Sequence, residues 1–192
     1  MHSKILFLLI SAASLVFASP VERRNTPPTG ASFFTPSARY HYDVGTGAID
    51  CNVNGGLVSK STTNNGHDIT TLVTFTYPQA AQGKQCQLFF YLDSTATVGG
   101  SKKIDVFTSL QPAPGCTTGW GPGNQRNINI GRWSVSKGNF ATWDATYGAY
   151  LTQPTTCKDP GTVEGLEFVG VYDDDYVQWN PAAGAGSRIY YF

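Results

Sequence analysis

Apolar residues recur along this chain with a period of two in segment after segment. In DITTLVTFTY, Ile69, Thr71, Val73, Phe75 and Tyr77 share one face while Thr70, Thr74 and Thr76 share the other. That is the pattern of a strand with one face buried. CQLFFYLD repeats it through Cys86, Leu88, Phe90 and Leu92, and KIDVFTSL through Ile104, Val106 and Leu110. In NINIGRWSV the apolar phase runs through Ile128 and Ile130, then switches to Trp133 and Val135 across Gly131, as a glycine bulge would make it do. LEFVGVY is apolar on both faces, with Leu166, Phe168 and Tyr172 opposite Val169 and Val171, which predicts a central strand. YVQWN follows after three aspartates, so Asp173–Asp175 is predicted as the solvent-facing tip of a hairpin. No metal is expected there, because calcium needs about six to eight oxygen ligands and a three-residue tip cannot aim that many.

Between these runs lie PQAAQGK, TVGGSKK, QPAPGCTTGWGPGNQ and TQPTTCKDPGT, all rich in turn formers. No helical period longer than a few residues follows the first 18 positions. Short strands with short connections predict an all-β, antiparallel β-sandwich of jelly-roll-like or immunoglobulin-like type.

The N-terminus changes the picture of where such a sandwich would work. Residues 1–18, MHSKILFLLISAASLVFA, read as a secretory signal peptide, and residues 19–24 as a short propeptide ending at the dibasic pair Arg23 and Arg24. Residues 25–36 are expected to form a flexible lead-in, and 37–192 the sandwich domain. Processing at that pair leaves ten basic against twelve acidic residues. A chain this close to neutral has no electrostatic reason to bind nucleic acid or an acidic membrane. No membrane anchor is expected. Cys51, Cys86, Cys116 and Cys157 read as two disulfides of an oxidising compartment, with three connectivities open. There is no N-x-[ST] acceptor, so no N-glycosylation is expected.

The remaining chemistry is sparse. His41 and His67 are isolated, so no metal and no cofactor are expected. No G-x-S-x-G elbow occurs. Glycoside hydrolysis needs two converging carboxylates, and Asp144 with Glu164 or Glu167 is the candidate set. Glu164 and Glu167 point to opposite faces of one strand and cannot be the pair together. Trp120, in TTGWGPGNQR, is the best candidate for a ring that stacks on a sugar, with Asn124, Gln125 and Arg126 beside it as donors. The plainer expectation is that Trp120 folds back to cap the sandwich. Trp133, Trp143 and Trp179 read as core.

TFTYPQAAQGKQCQLFFYL, NINIGRWSV and GLEFVGVYDDDYVQWNP together resemble secreted fungal proteins of the ubiquitin 3 binding protein C-terminal domain family. The resemblance covers roughly residue 32 to the C-terminus. It implies a secreted, β-rich, disulfide-containing domain of cell-surface or extracellular type, with no catalytic residues to carry over. The expected function is therefore a non-enzymatic protein of the cell surface, wall or extracellular space, partnered by wall polysaccharide or a surface protein. A carbohydrate-binding module using Trp120 and a small glycan-active enzyme are the alternatives.

Overall fold

The computed structural model describes residues 26–120 and 126–192. The segments read as signal peptide and propeptide lie outside the described residues, as do Asn124 and Gln125. Among the described residues there are fourteen strands: β1 Ser32–Phe34, β2 Ala38–Asp43, β3 Ile49–Asp50, β4 Gly56–Lys60, β5 Ile69–Thr76, β6 Gln85–Tyr91, β7 Thr97–Gly100, β8 Lys103–Ser109, β9 Arg126–Ser134, β10 Thr142–Thr146, β11 Thr155–Thr156, β12 Val163–Gly170, β13 Asp175–Trp179 and β14 Gly186–Tyr191. All pairings are antiparallel, and the described residues contain no α-helix, only short 3-10 turns at Gln79–Ala81 and Pro181–Ala183.

A four-stranded sheet, β1-β14-β6-β11, packs on a larger one ordered β10-β9-β8-β12-β5-β4-β13-β7, with β2 paired to β5 and β3 to β2. The larger sheet nearly splits at β4, which meets β5 through the single register pair Ser59 and Ile69. Thr71 holds the split together: its hydroxyl donates to the Leu57 carbonyl at 2.7 Å and accepts from the Leu57 amide at 2.9 Å. That satisfies a hydroxyl in a buried position, which would otherwise cost about 1–3 kcal/mol.

The core lies between the sheets. Leu88 and Phe90 of β6 and Ile189 of β14 meet Val73 and Phe75, Ile104 and Val106, Trp133, Leu166 and Phe168, all buried. Phe90 stacks on Trp133 with ring centroids 5.2 Å apart and sets its edge on Trp179 at 5.0 Å. The tryptophans read as core are there, Trp143 partly buried against Trp133. Two disulfides, Cys51–Cys116 and Cys86–Cys157, resolve the three connectivities.

Several expectations need correction. Ser32–Phe34, placed in a flexible lead-in, is a strand paired to β14. Strand β5 is buried on both faces, because the segment after β8 crosses its outer side, where Tyr42, Ile49, Leu72 and Ala113 form a second small core. Leu110 lies beyond the end of β8 and is exposed, as is Ile128. The glycine bulge exists: the register slips between Val106/Gly131 and Phe107/Asn129, and Trp133 is buried beyond it. Strand β12 is central, between β5 and β8, but β12 and β13 are not a hairpin, since β13 pairs with β4 and β7. Asp173 and Asp174 face solvent, whereas Asp175 is buried and accepts from the amides of Lys102 at 2.9 Å and Val171 at 3.2 Å. Its carboxylate pins the connection from β12 to β13, two distant strands of the larger sheet, and burial pushes its pKa up. Tyr172, expected on the strand, has left the sheet.

Candidate functional site

Trp120 is placed by a loop tied down twice. The Cys51–Cys116 bridge holds its stem, and one residue later Thr117 and Ile49 exchange backbone hydrogen bonds at 3.0 Å each. The ring then lies over the turn that joins β2 to β3. In that turn Asp43 accepts from the amides of Gly45 at 2.7 Å and Thr46 at 3.2 Å, and Gly47 adopts a left-handed φ of 73°. A Cβ at Gly47 would stand 2.5, 2.7 and 2.9 Å from Cδ2, Cγ and Cε2 of Trp120, so the indole rests face-on against the glycine. Its edge relation to Tyr42, at 6.2 Å and 71°, fixes the tilt. With one face backed in this way the side chain is still 71% exposed, so the other face is bare. The ring does not fold back into the sandwich.

Arg126, named beside Trp120 as a donor, is committed elsewhere. Its Nε and Nη2 donate to Glu167 at 2.9 and 2.7 Å, and its guanidinium lies 4.8 Å from the Phe107 ring. Glu167 is 1% exposed and also accepts from Thr70 Oγ1 at 2.8 Å. The hydrogen bond with Glu167 raises the Arg126 pKa, and the two-point contact ties the guanidinium to a buried partner.

The candidate carboxylates do not converge. Glu164 faces the interior, where Tyr77 Oη donates at 2.7 Å, Lys158 Nζ at 3.0 Å, and Tyr150 Oη also donates. Burial, then the charge of Glu164, pushes both tyrosine pKa values up. Asp144 stands on the outer face of β10, accepting from Lys103 Nζ at 2.7 Å and Ser134 Oγ at 3.0 Å. The Lys103 bond holds its pKa below the ordinary carboxylate range. Strands β9 and β8 separate Asp144 from Glu167, three spacings or about 14 Å. Glycosidase pairs stand about 5–9.5 Å apart.

The outer face of the larger sheet carries further groups that the sequence did not single out. Arg132 of β9 forms a two-point ion pair with Asp105 of β8, Nε to Oδ1 at 2.7 Å and Nη2 to Oδ2 at 3.0 Å. Tyr172, 61% exposed, lies with its ring 5.2 Å from that guanidinium and its hydroxyl accepting from Arg132 Nη1 at 3.1 Å. Tyr147, 59% exposed, follows β10 on the other side of Arg132, whose pKa both tyrosines and, above all, Asp105 raise. A tyrosine beside three aspartates was the available signal, but its apolar phase matched the strand before it.

His41 contacts the Gly55 carbonyl at 3.1 Å and His67 contacts Asp43 at 3.0 Å. Among the described residues no three His, Cys, Asp or Glu side chains gather as metal ligands. Two disulfides fit an oxidising, extracellular environment, and among the described residues no helix is long and apolar enough to cross a membrane. The chain matches no protein-family profile and no curated protein.

Proposed function

We propose that this is a secreted, non-enzymatic β-sandwich of the cell surface or wall that acts by binding carbohydrate, with Trp120 as the stacking platform. The observation that carries the reading is the Trp120 ring: one face set on Gly47, its tilt fixed by Tyr42, the other face open. An indole held in this way loses little further freedom when a sugar ring settles on it, and burial of the bare face supplies the affinity. The apolar face of a pyranose matches a flat ring, and its hydroxyls remain free for solvent and loop donors.

The non-enzymatic part is supported by how the candidate carboxylates are used. Glu164 is surrounded by two tyrosines and a lysine, Glu167 is closed by Arg126 and Thr70, and Asp144 lies three strand spacings, about 14 Å, across the sheet from the strand that carries both. A glycan array probed with the secreted protein tests the proposal. Specific binding that disappears in Trp120→Ala supports it. Equal binding by wild type and Trp120→Ala overturns it, and release of reducing ends from wall polysaccharide, abolished by Asp144→Asn, would establish the enzyme instead.

A further inference from the structure

The three most exposed aromatic side chains among the described residues, Trp120, Tyr172 and Tyr147, stand on the outer face of one sheet. Strand β2 ends at Asp43 and β12 at Gly170, and both run antiparallel to β5 between them, so Trp120 and Tyr172 lie at the same edge of the sheet. Tyr42, beneath Trp120, belongs to β2, and Arg132, beneath Tyr172, to β9. With β5, β12 and β8 in between, four strand spacings separate these supports by about 19 Å. That span exceeds any single sugar ring.

Tyr172 is built as deliberately as Trp120. Its backbone is left-handed, φ 63°, a conformation that a bulky side chain adopts only when its surroundings enforce it. Arg132 covers one side of the ring and is itself clamped by Asp105, which leaves the second side to solvent. A glycine would take this backbone more easily. What the tyrosine adds is the ring.

Charge selects among ligands for such a face. The three basic residues that β8 and β9 present here are each matched by a carboxylate: Lys103 with Asp144, Arg126 with Glu167, and Arg132 with Asp105. A face whose basic groups are paired internally offers no excess positive charge to a uronate or sulfate polymer, while the paired groups keep polar edges for hydroxyls.

We propose that the outer face of the larger sheet is one continuous binding surface for a neutral, linear polysaccharide, which crosses the strands from Trp120 to Tyr172 and Tyr147. The proposal rests on the glycan reading of Trp120 and adds the length and neutrality of the ligand. Affinity then grows with chain length, because only a polymer engages both platforms.

The test is depletion of the secreted protein by insoluble β-1,3-glucan, chitin and cellulose, with polygalacturonate as the acidic control, alongside titration with the matching disaccharides. Tyr172→Gly removes the ring and suits the left-handed backbone, so its fold is retained, and equal melting temperatures verify that. The expected result is retention of the wild type by a neutral polymer, a loss of about tenfold in Tyr172→Gly, full retention of Tyr172→Phe, and disaccharide binding unchanged in Tyr172→Gly. If Trp120→Ala abolishes polymer binding while Tyr172→Gly and Tyr147→Ala bind like wild type, the extended surface is wrong and the Trp120 site stands. If Trp120→Ala binds like wild type and Tyr172→Gly does not, the Trp120 reading itself fails. Preference for polygalacturonate, or retention by none of the neutral polymers, overturns the neutral-chain proposal.

Discussion

The two outer faces of this sandwich are both rich in aromatic rings and use them in opposite ways. On the smaller sheet, Phe89 sets its edge against Phe140 at 6.0 Å and Tyr190 at 5.2 Å, Phe33 packs on Tyr190 at 5.1 Å, and Tyr91 packs on Phe140 at 5.1 Å. Arg188 lies across them, 4.9 Å from Phe33 and 5.7 Å from Tyr91. The rings largely cover one another, Phe33 at the margin being the exposed one. On the larger sheet Trp120 is backed by a glycine and Tyr172 by a clamped guanidinium, and each leaves a face bare. Aromatic content alone therefore says nothing about binding; what covers each face does.

The comparison breaks first at Phe89. Phe89→Ala removes a ring from a self-covered cluster and should cost about 3–5 kcal/mol of stability in chemical denaturation. Trp120→Ala should stay within about 0.5 kcal/mol of wild type while losing glycan binding, because its ring has few packing partners to forfeit. Similar losses for both variants would erase the distinction between the faces.

The next largest effect is expected where the larger sheet's face is most buried. Arg126→Ala leaves the Glu167 carboxyl enclosed without its cation, with only Thr70 donating to it among the described contacts. Removing one partner of a buried pair costs about 3–5 kcal/mol, and the partial exposure of Arg126 puts this case near about 3 kcal/mol. Thermal unfolding of that variant measures it. A loss under about 0.5 kcal/mol, the range of ordinary surface substitutions, would show that the pair is not part of the fixed scaffold under the binding face.

Much of the fold was legible because strand periodicity acts through local sterics and burial. Cys86, Leu88, Phe90 and Leu92 alternate into the core as their spacing requires, and the phase switch across Gly131 marked a real bulge. What misled was covering by distant chain. Thr70, Thr71 and Thr74 are polar by type yet buried, because the loop stapled by Cys51–Cys116 and the β4 strand lie over them. Strand partners were equally hidden, so a turn of three aspartates read as a hairpin although β13 crosses to another part of the sheet. Of the candidate site, Trp120 was singled out from its glycine-rich loop, although the plainer expectation had it folding back onto the sandwich, and the structure leaves it exposed. Tyr172 was not, since one residue of left-handed backbone lifted it out of an apolar phase that it otherwise fits.

That crossover offers a sharper test on adjacent residues. Asp175→Ala strips two backbone amides of their acceptor, one of them the buried amide of Val171, and should cost about 2 kcal/mol. Asp174→Asn, one residue earlier and exposed, should stay within about 0.5 kcal/mol. Equal effects in urea titration would return Asp175 to the solvent-facing tip that the sequence alone predicts. They would also free Tyr172 from its rigid anchor.

The smallest effect belongs to the rim of the binding face, at Asp144. The Lys103 bond, with help from Ser134, holds its carboxyl below the unfolded value near about 3.9. A depressed folded pKa means that the unfolded chain takes up the proton first on acidification. The contribution to stability is therefore complete above the unfolded pKa and is lost as pH falls through the folded one. The carboxylate and the ammonium are both partly exposed, so the pair should contribute no more than about 1 kcal/mol at neutral pH, and less in high salt. Asp144→Asn should accordingly be slightly less stable than wild type at neutral pH, with the gap closing in acid as the pH falls through the lowered pKa and wild-type Asp144 protonates. Denaturation at the two pH values, with melting of the same pair in about 1 M salt as a control, measures the difference. A gap that persists in acid would mean that Asp144 acts through packing rather than charge, and the internal neutralisation of this face would then rest on Arg126 and Arg132 alone.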